Sequence, residues 1–262
     1  MTYNWDAAEY EKHSSPQQQW ARDIIRTMKL AGDERILDIG CGDGKVTAEL
    51  AALVPTGQVL GIDSSDSMIA FARRRFPPVH HPNLQFRWGN ASRLAYQCEF
   101  DLVVSFASLH WVRDHLAVLT GITRSLKPGG RIVLQFGGKG NIAMISDVAN
   151  ELITQNHWKY YFRDFSYPWF FPSVEEYRGL VEGAGLFAQR IQLVPKDMAH
   201  DGEDALAGWL RAVFLPYTER LPDELCEDFL EEVANAYIKR RPPDENGGIH
   251  VKMVRLEVEA TI

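Results

Sequence analysis

ERILDIGCGDG at residues 34–44, followed by VLGIDSS at 59–65, decides how this chain folds. A short apolar strand (Ile36, Leu37, Ile39) runs straight into a turn carrying Gly40, Gly42 and Gly44. VTAELAALV at 46–54 has helical patterning, and a second apolar strand ends in Asp63. Strand, glycine turn, helix, strand and acid, in that order, form the layout of a nucleotide-binding βαβ unit. Without Cβ atoms the glycines let the backbone turn sharply and approach a ligand closely. An acid at the tip of the second strand can accept hydrogen bonds from both hydroxyls of a ribose. A plain strand-to-helix turn would also account for the glycines, so the rest of the chain has to decide.

The details of the turn select among nucleosides. The dinucleotide pattern G-x-G-x-x-G needs a glycine at position 45, where Lys45 stands. The phosphate loop G-x-x-x-x-G-K-[ST] fails because Val46 follows Lys45. Asp38 within the strand, with Gly40, Gly42 and Gly44 at alternate positions, resembles motif I of the class I S-adenosylmethionine-dependent methyltransferases. Further stretches resemble the same family in the same order. Gly89-Asn90-Ala91 follows the third strand, where the family commonly has an acid for the adenine amino group; Asn90 still offers an acceptor oxygen. FDLVVSFASLHWV at 100–112 resembles the segment whose loop faces the methyl group, and LKPGGRIVLQF at 126–136 the turn and strand that close the core. The resemblance implies that S-adenosyl-L-methionine is the cofactor and S-adenosyl-L-homocysteine its product. The positions it implies for the cofactor are Tyr10, Asp38, Gly40, Gly42, Asp63, Ser64, Met68, Asn90, Ala91, Ser105 and Phe106.

Two segments narrow the resemblance. YEKHSSPQ at 10–17 and SFASLHWVRD at 105–114 look like the corresponding stretches of juvenile hormone acid O-methyltransferases. Trans-aconitate methyltransferases and the malonyl-carrier-protein methyltransferases of biotin synthesis share a related Trp after strand 4. All three groups methylate carboxylates. The match implies that Gln17 and Trp111 hold the substrate carboxylate and that Tyr10 helps to close the site. Each has a plainer reading: Gln17 as an exposed residue in the first turn of a helix, Trp111 as a packed loop corner. His110 reads equally as a structural histidine or as a base facing the substrate.

Chemistry separates these roles. A carboxylic acid with a pKa of roughly 4 is ionised at neutral pH and needs positioning and desolvation rather than a base. An indole N–H and an amide NH2 orient a carboxylate without taking a proton. A phenol or alcohol would require a base, and His110 is the one obvious candidate. The aromatic density of 158–171, nine rings in fourteen positions, implies an apolar cap, and so an apolar acid of isoprenoid or fatty type. Packing of the cap onto the sheet would use some of these rings. C-, N- or hydroxyl O-methylation of a natural product stays open, as does a non-catalytic protein that binds S-adenosylmethionine. A nicotinamide dehydrogenase is disfavoured by Lys45 and by the lack of a Tyr-x-x-x-Lys run.

Composition sets the bounds. The chain has 262 residues, 45% of them hydrophobic and 24% charged, and a net charge of -7. That length suits one α/β domain with an insertion or small cap, and the acidic balance argues against nucleic acid as the main partner. Arg73, Arg74 and Arg75 read as a solvated helix face. Cys41, Cys98 and Cys226 have no metal-like spacing, and so sparse a set fits a reducing compartment. The polar N-terminus and the lack of a long apolar run point to a cytoplasmic protein with no membrane span. No His/Asp/Glu cluster suggests a metal.

The expected architecture is a doubly wound α/β sheet, Rossmann-like by resemblance, with seven strands in the order 3-2-1-4-5-7-6 and strand 7 antiparallel. Strands are predicted at 34–39, 58–63, 84–89, 100–106, 131–136, 186–194 and at the C-terminus, with KPGG at 127–130 as a turn. Helices are predicted at 16–29, 44–53, 64–76, 114–125, 173–183, 203–215 and 222–240. The whole reads as a single domain over 1–262. Its cofactor core spans about 30–137, and a helical, aromatic cap is drawn from about 1–20, 141–172 and 203–240.

Overall fold

The computed structural model describes residues 15–155 and 157–262; Tyr10 lies outside them. The described chain divides into two compact units. One comprises residues up to Lys139 with Trp169–Val194 and Arg255–Ile262; the other comprises Gly140–Pro168 and Pro195–Val254.

The first unit holds the sheet. Its helix α1 is Ser15–Ile25, followed by β1 (Arg35–Ile39), α2 (Lys45–Leu53), β2 (Gln58–Asp63), α3 (Asp66–Arg75) and β3 (Leu84–Trp88). Then come β4 (Phe100–Phe106), α4 (His115–Ser125) and β5 (Leu126–Gly137). Further along, after α5 (Ala143–Leu152) of the second unit, are α6 (Val174–Gly183) and the long strands β6 (Phe187–Asp201) and β7 (Gly248–Thr261). The seven strands stand in the order β3-β2-β1-β4-β5-β7-β6, as the resemblance implied. β1 runs parallel to β2 and β4, and β5 is antiparallel to β7 over Arg131–Gly137 and Arg255–Thr261.

Side-chain alternation explains why both faces of this sheet are apolar. Leu37, Ile39, Val103, Ile132, Leu134 and Phe136 pack into one core with Val118, Leu119 and Ile122 of α4 and Tyr177 and Val181 of α6. Ile36, Leu102, Val104 and Val133 pack into the opposite core with α1, α2 and α3. Caps fix where helices begin. Ser65 caps α3, its side chain accepting from Met68 N. Asp114 caps α4, and Ser173 forms a capping box with Glu176 on α6.

Three expectations are corrected. KPGG at 127–130 is not a turn ahead of the strand but a loop within β5. Phe100 pairs with Leu126 and Leu102 with Arg131, so these four residues bulge out opposite Asp101. Pro128 has no N–H to give to a ladder, and Lys127 Nζ instead meets the Asp101 carboxylate at 2.7 Å. Strand β6 runs to Asp201, beyond the predicted 194. The helix expected over 203–215 ends at Val213, and a separate short turn, α8 (Leu215–Thr218), carries Pro216 near its start.

The second unit comprises α5 (Ala143–Leu152), α7 (Gly202–Val213), α8, α9 (Asp223–Arg240) and the ends of β6 and β7. Its core is aromatic. Phe165 packs at a tilt against Tyr217 at 4.6 Å, and Phe162 and Trp158 pack on Phe229 at 5.5 and 5.2 Å. Trp158 and Phe162 are buried there while Tyr160 is exposed. Part of the aromatic run is thus this unit's own interior. No helix among the described residues is long and apolar enough to cross a membrane.

Candidate functional site

The glycine turn is built as a close-approach loop. Gly40, Gly42 and Gly44 all adopt positive φ, at 74°, 52° and 82°. Gly40 and Cys41 both donate to Ile62 O, clipping the turn to the end of β2. A Cβ on Gly44 would meet Phe86 Cζ at 2.7 Å, and one on Gly40 would meet Ser108 Oγ at 1.8 Å. The first glycine therefore makes room for the loop after β4, and the third lets α2 pack on β3.

Asp63 closes the turn from below. One carboxylate oxygen accepts Gly42 N at 3.0 Å and the other accepts Ser65 N at 2.9 Å. Burial raises its pKa, and the hydrogen bonds from Ser65, Gly42 and Ser64 oppose that rise. With these backbone donors in place the carboxylate still keeps acceptor capacity that a ribose hydroxyl could use. Asp38 lies behind, fully buried, accepting Thr47 Oγ1 at 2.7 Å. Burial, partly offset by Thr47 and reinforced by the Asp63 charge, pushes its pKa up to about 7. Lys45, where a dinucleotide fold would need glycine, pairs with Asp43 at 3.0 Å.

The remaining expected cofactor positions lie after β2 and in α3 (Ser64, Met68), after β3 (Asn90, Ala91) and at the end of β4 (Ser105, Phe106). Ser64 is exposed and its carbonyl accepts Trp88 Nε1 at 3.0 Å; Met68 is buried. Asn90 Oδ1 accepts Ser92 N at 2.9 Å, which caps the short turn Ala91–Arg93 and leaves the amide NH2 for other partners. Ser105 is wholly buried and donates to Ile39 O at 2.6 Å, so its hydroxyl ties β4 to β1. Phe106 is buried. The three glycines and the Asp63 carboxylate could hold a nucleoside by close backbone approach and hydroxyl hydrogen bonds.

On the other side of the turn, the backbone after β4 is strained: Ala107 has φ 54°. Ser108, His110 and Trp111 follow. His110 is buried, and its Nδ1 accepts from Gly137 N at 3.4 Å, which places the ring proton on Nε2. Burial, with the Arg255 and His115 charges, holds its pKa well below the usual histidine value. The end of the aromatic run meets this loop. Trp169 packs edge-on against Trp111 at 5.7 Å, and Phe171 lies 5.8 Å from His110. Gln17 sits on the face of α1 that also carries Trp20, Ala21 and Ile24; its Oε1 is buried with no hydrogen-bond partner among the described residues.

Three residues that the sequence reading passed over belong to this region. Thr47 supports Asp38, and Ser108 fills the space at Gly40. Arg255 on β7 is buried, pairs across the ladder with Gly137, and lays its guanidinium 4.6 Å from the Trp20 ring centroid. Two charged residues, Arg255 and Glu257, at alternate positions of the apolar strand MVRLEV were the available signal.

Residues 36–130 match the family described as Methyltransferase domain. An uncharacterized methyltransferase of Schizosaccharomyces pombe is 30% identical over 73% of this chain and 74% of its own length. A trans-aconitate 2-methyltransferase of an Acidovorax species is 28% identical over 91% of this chain and 92% of its own. Among solved structures, the YcgJ protein of Bacillus subtilis superposes with a TM-score of 0.65 at 19% identity, covering 93% of this chain and 97% of that one.

Proposed function

Since the chain belongs to the class I S-adenosylmethionine-dependent methyltransferases, we propose that it methylates a carboxylate oxygen of an apolar small-molecule acid. S-adenosylmethionine supplies an electrophilic methyl on a sulfonium. The chain's own part is to hold the cofactor at the glycine turn and Asp63, to orient the acceptor and to exclude water.

The observation that carries the acceptor class is the state of His110. It is buried, neutral and a weak base, with Nδ1 already accepting from Gly137. An acceptor that must lose a proton would find little help there, whereas a carboxylate is ionised on arrival. Gln17 and Trp111 offer neutral donors suited to it. Trp111, Trp169 and Phe171 supply an apolar, desolvating wall. The likeness to a trans-aconitate 2-methyltransferase over most of both chains is in keeping with carboxyl chemistry.

The test is a panel of acids, phenols, alcohols and amines with methyl-labelled S-adenosylmethionine. Base-labile methyl ester formed from apolar acids supports the reading. Transfer confined to phenols, alcohols or amines overturns it.

A further inference from the structure

We propose that His115 and Tyr177 are positioning residues for the transfer step. Tyr177 donates its hydroxyl proton to His115, His115 donates to the Leu109 carbonyl, and this relay sets the loop that presents Trp111 to the acceptor. The inference rests on the reading of that loop as the acceptor's seat and adds to it the pair that holds the seat in place.

Hydrogen-bond direction is the first argument. His115 is the first residue of α4, and its ring turns back to the loop after β4. Nε2 lies 3.0 Å from Leu109 O and Nδ1 3.2 Å from the Tyr177 hydroxyl. A carbonyl only accepts, so Nε2 carries the proton. Burial holds the His115 pKa down at about 4 and pushes that of Tyr177 up, so at neutral pH the ring is uncharged and the phenol protonated. Nδ1 therefore accepts from Tyr177, and the chain of bonds runs one way, from α6 to the loop. Both side chains are buried. A position that needed only filling would suit an apolar residue better, because a buried imidazole and phenol cost free energy unless each finds its partner.

What the relay holds is the second. Leu109 O also accepts Val112 N at 2.9 Å, closing the short turn Leu109–Trp111. The next carbonyl, His110 O, accepts Phe170 N at 2.9 Å. Phe170 lays its ring 4.6 Å from that of His115. Its neighbours Trp169 and Phe171 stack on each other at 6.0 Å and meet Trp111 and His110. His115 is thus joined through Leu109 to the turn bearing Trp111, and through Phe170 to the aromatic wall beside it. Methyl transfer is an in-line displacement: one carboxylate oxygen forms the O–CH3 bond as the CH3–S bond breaks, and the electron pair of that bond stays on sulfur. No proton moves, so the relay acts by placement alone. A wall that shifts misaligns the line of attack and lowers the rate more than it weakens binding.

The experiment compares wild type with His115→Leu, His115→Gln, Tyr177→Phe and Trp111→Phe. Leucine fills the site without a donor, and glutamine restores an N–H for Leu109. The acceptors are decanoate, trans-aconitate and decanol, and every variant is assayed on the one that wild type methylates fastest. Expected is a kcat lower by about tenfold or more in H115L, intermediate in Y177F and within about threefold of wild type in H115Q. Calorimetric affinity for S-adenosylhomocysteine should stay within about twofold throughout. In 15N NMR of histidine-labelled protein, wild-type His115 should carry its proton on Nε2, and Y177F should show both tautomers. The Trp111 indole signal, identified by its absence in W111F, should move in Y177F. Where H115L does not fold, Y177F carries the test. A slow W111F beside a kcat within about twofold of wild type in H115L or Y177F overturns the relay and leaves the loop as the acceptor's seat. A W111F protein as fast as wild type overturns the seat itself. A wild-type proton on Nδ1 overturns the relay whatever the rates. Where none of the three acceptors is methylated, the tautomer and the Trp111 signal decide, and an unmoved signal in Y177F overturns the relay.

Discussion

The hydroxyl of Ser108 occupies the space beside Gly40 in which any other residue would carry its Cβ, 1.8 Å from that position. The turn after β1 and the loop after β4 are therefore fitted to each other, and the loop carries His110 and Trp111. Gly40→Ala forces left-handed backbone at φ 74° on a residue with a Cβ, costing about 1–2 kcal/mol. Displacing Ser108 adds about 1–3 kcal/mol. Ser108→Gly in the same chain should recover the second part and leave the first. Urea unfolding of the two single variants and the double variant measures this, and additive effects would show that the two loops are independent.

Asp63 accepts the backbone N–H groups of Gly42 and Ser65 before any ligand arrives. Asp63→Ala therefore removes both the proposed ribose acceptor and the brace of the turn. Calorimetry should show S-adenosylhomocysteine affinity lower by about 2–4 kcal/mol. Asp63→Asn keeps one acceptor oxygen and should fall between. Wild-type affinity in a folded Asp63→Ala protein would place the ribose elsewhere.

Much of this was legible in the chain because local chemistry wrote it there. Strand β1, the glycine turn and Asp63 lie within thirty residues, and each is dictated by sterics or by hydrogen bonding of its own neighbourhood. The Ser173–Glu176 capping box is equally local. What stayed hidden depends on distant residues. Ser108 matters because of Gly40, and Arg255 because β7 returns to lie beside β5. The aromatic run read as one feature but serves two purposes. Trp158 and Phe162 fill the core of the second unit, while Trp169 and Phe171 meet Trp111 and His110 in the first. Composition alone cannot separate such uses.

For the acceptor side, Gln17→Ala and Trp111→Phe should each lower turnover five- to a hundredfold, about 1–3 kcal/mol, with cofactor affinity little changed. His110→Ala should cost less. Because the His110 pKa lies well below the ordinary value, the rate with an acid substrate should be flat above about pH 6. Stopped assays over pH 6–9 check this, and a basic limb that vanishes in His110→Ala would reinstate that residue as a base.

Asp38 makes a distinct claim about stability. Its folded pKa is raised from 3.8 to about 7, chiefly by burial. The folded state then binds the proton more tightly than the unfolded chain, so stability is greatest below about pH 4 as far as this group is concerned. It declines as pH rises through the window up to about 7. Asp38→Asn keeps an acceptor for Thr47 and carries no charge. Relative to wild type it should gain about 2–3 kcal/mol between pH 5 and pH 8. Parallel urea curves at the two pH values give the answer; an unchanged difference would mean that Asp38 ionises freely in the fold.

In the second unit His250 is held between two carboxylates. Nδ1 lies 2.5 Å from Asp197 Oδ2 and Nε2 lies 3.1 Å from Asp244 Oδ2. Both ring nitrogens face carboxylate oxygens, so the imidazolium, which donates from both, is the favoured form. Asp197 first, then Asp244, raise its pKa, and Asp244 is lowered by His250 in turn. For a raised histidine the stabilisation is complete below the unfolded value of about 6.5 and disappears as pH climbs through the folded pKa. The bonds join the β6 end at Asp197 to β7 at His250, and Asp244 also accepts Asn246 N and Gly248 N in the turn leading into β7. His250→Ala should therefore lower the melting temperature by several degrees at pH 6 and by much less at pH 9. Asp197→Asn should shift the His250 titration, followed by NMR, toward the ordinary value. A melting-temperature loss equal at both pH values would mean that packing of the ring, and not its charge, is what stabilises this corner.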